Sequence, residues 1–257
     1  MKPLYLDAEQ PLRVELDGPS LVVTCDAQAA RRFPFSRLSR LVVCGPVELP
    51  TAALVECLRR GVPVTFLGGD GTLAGLALPA QSRTSNLNDR LEEFLERPDW
   101  HALYDNWRRA AERRQILTAL SRLRCRSADL RPATVSAMLD ETLDELAGRR
   151  SRLEAVAWLE AALAALVGEL IAAMGIAPHL VAERRPGFHL LRDFTGLLLW
   201  RLKAELGAAL IEKTLFAAGG RVWRRQLASW FEQRRAAERT RVTRLLDGFA
   251  FWLGGIR

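Results

Sequence analysis

Long apolar runs are missing from this chain of 257 residues, although 49% of its residues are hydrophobic. No stretch of about 18 uninterrupted apolar residues occurs, so we expect no membrane span. The N-terminus lacks the apolar stretch of a secretory signal. Metal-ligand spacing is also missing from the cysteines, which are Cys25, Cys44, Cys57 and Cys125. We therefore expect reduced, mostly buried thiols in a cytoplasmic protein.

Lysine is scarce, since 34 of the 37 basic residues are arginine and only Lys2, Lys203 and Lys213 are not. Arginine presents a planar fork of donors that fits phosphate oxygens. The codon usage of a GC-rich genome would produce the same composition without any functional cause. The formal net charge of +7 favours nucleic acid as a partner, and a membrane surface would also attract such a protein.

The first eighty residues have the pattern of β structure. Short runs rich in β-branched residues favour strands at 4–6, 12–16, 21–25, 41–44, 47–49 and 62–67. After Pro50, Thr51 is expected to cap a short helix that Gly61 ends. The glycine-rich stretch 68–71 lacks the lysine and serine of a phosphate loop, so a hairpin leading into 72–78 is the expectation.

Beyond Pro79 glycine becomes rare and apolar residues recur at helical spacing. This pattern predicts helices near 87–97, 100–123, 132–147, 151–174, 193–217 and 221–253, with an irregular connection over 176–192. A short polar linker, 81–86, separates the two parts. We therefore predict an α+β fold, with an all-β N-terminal domain over 1–80 and a larger all-α domain over 87–257.

The N-terminal part begins with PLYL and continues with LSRLVVCGPVELPTAALVECLRRGVPVTFLGGDGTLAGLALP. These segments resemble the first domain of the Cas-one family, the CRISPR adaptation integrases. In that family a strand ending in V-x-G-x-V precedes a short helix, a G-V/I-P-V-x-F-L strand and a G-x-x-x-G-x-L hairpin. In the second part, 174–178 (MGIAP) resembles the family's G-L-D-P corner, and the last helix resembles its closing helices.

The resemblance implies a helical lobe that holds a divalent metal, Mg or Mn, on a glutamate, a histidine and an aspartate or glutamate. Such an ion activates a nucleophile and stabilises charge on the phosphate during strand transfer. The nearest match to the family's E-G-x-A-A glutamate is Glu160, in Leu159-Glu160-Ala161-Ala162. A plain polar residue on an alanine-rich helix is the alternative interpretation of Glu160.

The other two ligand positions have two alignments. In the first, Arg184 occupies the histidine position, His189 the aspartate position and Arg192 a neighbouring glutamate position, which predicts that the metal site is lost. In the second, the site is retained and Glu160, His179 and Asp193 converge on the metal. The first alignment fits the neighbouring residues better. The stretch between the glutamate and the corner is also shorter than in the family.

These observations lead to one main functional hypothesis and two alternatives. We expect a homodimer that pairs through the β domain, binds DNA in CRISPR spacer acquisition and has lost metal-dependent cleavage. The candidate phosphate contacts are Arg83, Arg184, Arg185, Arg221, Arg224 and Arg225. A Cas-two protein is a further partner that the resemblance implies. The alternatives are an active metal-dependent endonuclease and integrase, and an arginine-rich adaptor that binds a protein.

Overall fold

The computed structural model describes residues 1–7, 11–25, 28–80, 86–182, 187–217 and 220–256. The chain divides into two compact units, Met1–Ser82 and Arg83–Arg257. Strands predominate in the first unit, which we call the β unit, and helices in the second, the helical unit. This order confirms the predicted α+β class.

The β unit contains two four-stranded sheets and a short helix. Its strands are β1 (Lys2–Asp7), β2 (Leu12–Asp17), β3 (Ser20–Cys25), β4 (Gln28–Pro34), β5 (Leu38–Cys44), β6 (Val47–Glu48), β7 (Val64–Leu67) and β8 (Leu73–Ala77), with α1 (Thr51–Arg59) between β6 and β7. The strand order is β1-β5-β7-β8 in one sheet and β4-β3-β2-β6 in the other. Their inner faces share a core that includes Leu21, Leu41 and Val64.

Two local predictions for the β unit need correction. Pro50, not Thr51, is the capping residue of α1; Thr51 is its first residue, and no side chain caps the helix. Strand β4 was not predicted, because its sequence QAARRFP has no β-branched residues. It forms by antiparallel pairing with β3, in a register that places Phe33 opposite Leu21. Tertiary pairing thus overrides a weak local preference.

The helical unit matches most of the predicted helices. Its elements are α2 (Asn86–Glu96), α3 (Trp100–Leu123), α4 (Pro132–Ala147), α5 (Arg149–Ala173), α6 (Pro178–Ala182), α7 (Leu190–Ile211) and α8 (Gly220–Gly254). The segment 176–192 is not irregular throughout, since it contains α6 and the start of α7. Helix α7 begins before the predicted residue 193 because His189 caps it, accepting a hydrogen bond from the backbone N–H of Arg192.

Helix α5 packs against α4, α7 and α8. In the described part of the chain, it alone is long and apolar enough to match a membrane span by length and composition. However, 67% of its most apolar window is buried inside the unit. That burial explains its apolar composition as that of a core helix.

The cysteines are all free. Cys44 and Cys57 are buried, whereas Cys25 and Cys125 are half-buried. Burial raises the pKa of the Cys57 thiol to about 11. The thiol of Cys57 is therefore a protonated part of the β-unit core at neutral pH.

Candidate functional site

Asp193, in the first turn of α7, is the most extensively bonded of the candidate ligands. Its Oδ2 accepts from the Tyr104 hydroxyl at 3.0 Å and from the His189 backbone N–H at 3.1 Å. Its Oδ1 lies 3.4 Å from Nε of Arg192, and the side chain is only 10% exposed. Both carboxylate oxygens therefore already have donors from the same chain.

Tyr104 connects this carboxylate to the core of the helical unit. Its ring is buried and contacts the rings of Trp107, Phe188 and Phe249. Burial, followed by the negative charge of Asp193, raises the pKa of the Tyr104 hydroxyl well above its ordinary value. The hydroxyl is therefore a proton donor to Asp193 at any physiological pH, and the pair joins α3 to the start of α7.

The two histidines nearest to Asp193 have structural partners. His189 Nδ1 accepts the Arg192 backbone N–H at 3.2 Å and so caps α7. The His101 ring lies 5.3 Å from that of Trp100. It also rests on Gly187, where an added Cβ would come within 2.5 Å of His101 Nε2. Gly187 has a φ of +86°, so both close approach and backbone conformation require glycine at this position.

The remaining candidate ligands, His179 and Glu160, are both exposed. His179 Nε2 is 3.2 Å from Oε1 of Glu92, and both side chains are exposed. Glu160 is exposed on α5. Within the described ranges, no group of three or more His, Cys, Asp or Glu side chains is able to hold a metal ion. Among these described residues, Glu160, His179 and Asp193 thus do not form one metal-binding group.

The candidate DNA contacts differ in whether the structure describes them and in how exposed they are. Arg83, Arg184 and Arg185 lie outside the described residues, so the histidine position occupied by Arg184 in the first alignment has no structural description. Of the other three, Arg221 and Arg224 are half-buried and Arg225 is exposed. Nε of Arg221 is buried without an acceptor among the described residues. Arg225 is therefore the one described candidate with an open guanidinium.

A family model for CRISPR associated protein Cas1 matches residues 4–167, well over half of the chain. The chain belongs to the Cas1 family. This result confirms the resemblance to the Cas-one family that the N-terminal sequence carries.

Curated relatives extend the Cas1 match at the level of sequence. A fusion of a CRISPR-associated Cas4 exonuclease and a Cas1 endonuclease from Rhodospirillum rubrum is 31% identical over 121 residues. That alignment covers 40% of this chain and 20% of the fusion protein. A similar fusion from Geobacter sulfurreducens is 36% identical over 73 residues, which cover 28% of this chain and 13% of that protein. The chain thus spans a fifth or less of these relatives.

Solved structures show that the whole chain has the Cas1 fold. A Cas1 protein from Thermotoga maritima matches with a TM-score of 0.79 at 13% identity, over 100% of this chain and 98% of that one. The TtCas1–DNA complex matches with a TM-score of 0.56 at 15% identity, over 100% of this chain and 93% of that one. A chain of a Cas6-RT-Cas1–Cas2 complex matches with a TM-score of 0.57 at 11% identity, over 90% of this chain and 32% of that one. At these identities the likeness establishes the fold alone.

Sequence reasoning did not identify the residue that holds the Cas1-like corner at 174–178. Asn88 Nδ2 donates to the Gly175 carbonyl at 2.8 Å, and its Oδ1 accepts from the Ala177 backbone N–H at 2.9 Å. Asn88 is buried on α2, and burial of a polar side chain is stable when it is hydrogen-bonded in this way. A polar residue among the apolar positions of α2 was the available signal.

Proposed function

We propose that this chain is a DNA-binding Cas1 protein of CRISPR spacer acquisition that contacts DNA phosphates and does not perform metal-dependent cleavage. The observation that carries the proposal is the bonding of Asp193. Its oxygens accept from Tyr104, His189 and Arg192. The carboxylate therefore stabilises the start of α7 and its attachment to α3.

A metal ion at Asp193 would have to share a carboxylate that already accepts hydrogen bonds from Tyr104 and His189. The guanidinium of Arg192 carries a permanent positive charge beside the same carboxylate, and it would repel a divalent cation. Since Glu160, His179 and Asp193 do not form one group of ligands in the described part of the chain, no such group offsets this repulsion.

DNA is the partner that charge and kinship support best. The chain has a formal net charge of +7 and its basic residues are almost all arginine, which binds phosphate with two parallel hydrogen bonds. One of the structures with the same fold is a complex with DNA. Another contains a Cas2 protein, and we propose a Cas2-type protein as a second partner of this chain.

The decisive experiment measures DNA binding and cleavage with the same preparation of the full chain. We expect labelled branched DNA to bind with an affinity that falls at least tenfold between about 50 and 200 mM salt, because phosphate contacts release counterions. We expect no cleavage with Mn²⁺ or Mg²⁺. Metal-dependent cleavage that Glu160→Gln or Asp193→Asn abolishes would establish the nuclease alternative. Binding that ignores salt would instead favour the adaptor that binds a protein.

Homodimerisation through the β unit is a separate part of the proposal. Strands β8 and β4 each lie at the edge of a sheet, where backbone groups remain available for pairing. The β unit is also small, so it has limited means to bury its own apolar surface. Light scattering is expected to give a mass of two chains at micromolar concentration. A mass of one chain that is independent of concentration would contradict the dimer.

A further inference from the structure

A groove runs along the middle of α3, where the segment leading into α4 passes over it. It has a volume of about 610 Å³, within the range of about 300–1,000 Å³ that small-molecule sites occupy. Three arginines line it: Arg109 and Arg113 on α3, and Arg131 on the opposite wall. Half-buried Leu130 also lines it and adds an apolar surface, and buried Ile116 lies at its base. We call this feature the α3 groove.

The guanidinium groups of the α3 groove are open to solvent. Arg109 pairs with Asp105, four residues earlier, and is 66% exposed; Arg131 pairs with Asp129 and is 80% exposed. Such exposed pairs contribute little and exchange readily for another anion. Arg113 is exposed and has no ion-pair or hydrogen-bond partner in the part of the chain that the structure describes.

Two acids, Asp129 and Glu112, also line the groove, so with its three arginines the lining has a formal charge of +1. Asp129 is hydrogen-bonded at the start of α4: it accepts from the Arg131 backbone N–H at 3.0 Å and from the Thr134 hydroxyl at 2.8 Å. Glu112 is half-buried on α3. Arg114, Arg124 and Arg126 extend the basic surface beyond the groove, with no ion-pair partner in the described ranges.

We propose that the α3 groove binds the phosphodiester backbone of DNA through Arg109, Arg113 and Arg131. Arg109 and Arg113 lie one helical turn apart on the same face, about 6 Å from each other, so they face successive anionic groups of one strand. The half-buried Leu130 side chain adds an apolar surface that accepts a sugar. This inference rests on the proposed DNA-binding function and assigns it to a surface that the Cas1 motifs do not include.

The comparison with the end of the unit where α8 begins favours the α3 groove as the stronger contact. Arg221 and Arg224 are half-buried, and Arg224 already has an interaction within the protein. Only Arg225 projects freely there. Burial and existing partners leave fewer guanidinium donors for phosphate at that end than in the α3 groove.

The test uses the full chain, labelled single-stranded and duplex DNA, and anisotropy measured over a series of salt concentrations. The groove variant is Arg109→Gln/Arg113→Gln/Arg131→Gln. A matched variant, Arg37→Gln/Arg59→Gln/Arg244→Gln, removes the same charge from exposed positions elsewhere. We expect the groove variant to lose about tenfold or more in affinity near 100 mM salt. We also expect its salt slope to fall by about 2–3, since each phosphate contact contributes roughly 0.7–0.9. The matched variant should retain most of its affinity.

A single substitution provides a control in case the triple variant misfolds. Arg113→Gln removes a side chain without a described partner, so it should leave the unfolding midpoint unchanged and lower the salt slope by about 1. If the wild type binds DNA and neither groove variant changes the affinity or the slope, the groove assignment is overturned while the DNA-binding function stands. If the wild type shows no salt-dependent DNA binding, both proposals are overturned.

Discussion

Helices α3 and α8 are both rich in arginine, yet their arginines have different surroundings. On α8, Arg235 and Arg239 bind Glu169 of α5 at 2.8 and 2.7 Å, and Arg241 binds Glu205 of α7 and Glu238. On α3, Arg108 and Arg109 bind Asp105 of the same helix, on the surface. Arg235, Arg239 and Arg241 of α8 thus connect helices. Arg109 of α3, in contrast, has only a local partner at the surface.

This difference shows that a count of arginines does not locate a binding surface. An arginine that faces a carboxylate of a neighbouring helix belongs to the folded core, and its loss leaves that carboxylate unpaired. An arginine with only an exposed, local partner contributes little to folding, and its donors stay accessible. Stability should therefore depend on α8 and DNA binding on α3.

The largest effect on stability is expected for Arg241→Met. Glu205 and Glu238 are buried, and the substitution removes the guanidinium that both contact. Breaking a buried pair in this way costs about 3–5 kcal/mol in the free energy of unfolding, which urea denaturation measures. Arg244→Met, at an exposed position of the same helix, should change it by less than about 0.5 kcal/mol. Equal losses in the two variants would remove the distinction between the buried and exposed arginines of α8.

A smaller loss is expected for Glu169→Gln, which weakens both ion pairs between α5 and α8. Hydrogen bonds to charged groups contribute about 1.5–3 kcal/mol when partly buried, so a loss of about 1–3 kcal/mol should appear in the free energy of unfolding. Glu160→Gln on the same helix is the matched control, because Glu160 is exposed. A loss at Glu160 as large as that at Glu169 would indicate an unrecognised partner for Glu160.

The buried acid of α8 should also give stability a characteristic pH dependence. Burial raises the pKa of Glu238 above its ordinary value, against the effect of Arg241 and Arg201 and together with that of Glu205. Between the ordinary and the raised pKa, the folded protein holds a proton that the unfolded chain has released. The contribution of Glu238 to stability therefore falls as the pH rises through this window.

Glu238→Gln tests this sign. The difference in the free energy of unfolding, variant minus wild type, should be larger at pH 7 than at pH 4.5. The reason is that the wild type loses stability as the pH rises, whereas glutamine does not titrate. Urea denaturation at both pH values measures the difference, with Glu232→Gln on the same helix as the control. Parallel pH profiles for the wild type and Glu238→Gln would contradict a raised pKa.

The smallest effect is expected for Asp105→Asn on α3. Hydrogen bonds from Arg109 and Arg108 lower the pKa of Asp105, so its contribution is present above the ordinary aspartate pKa and is lost as the pH falls. The pairs are exposed, and the loss in the free energy of unfolding at pH 7 should stay below about 1 kcal/mol, as measured by urea denaturation. The same variant should bind DNA more tightly, since Arg109 loses a competing acid. A loss above 2 kcal/mol would place α3 in the same class as α8.

Much of the fold was predictable because its signals are local. The predicted bounds of α3 and α4, 100–123 and 132–147, agree with the structure, since long amphipathic periodicity and the proline at the first position of α4 are strong signals. Strand β4 and the beginning of α7 were missed. The first depends on pairing with β3, and the second on a histidine cap, for which the usual sequence signals are other residue types.

By itself, the sequence determined the order of a β part and a helical part, the membership of the Cas1 family and the abundance of arginine. Only the tertiary structure decided which charged groups meet. Asp193 and Tyr104 are 89 residues apart, and Arg235 and Glu169 are 66 apart. Hydrophobic periodicity indicates which face of a helix is buried, but not which side chains on another helix lie opposite it. For that reason, only the folded chain reveals that Asp193 is bonded within the protein and that Arg109 and Arg113 of α3 remain exposed.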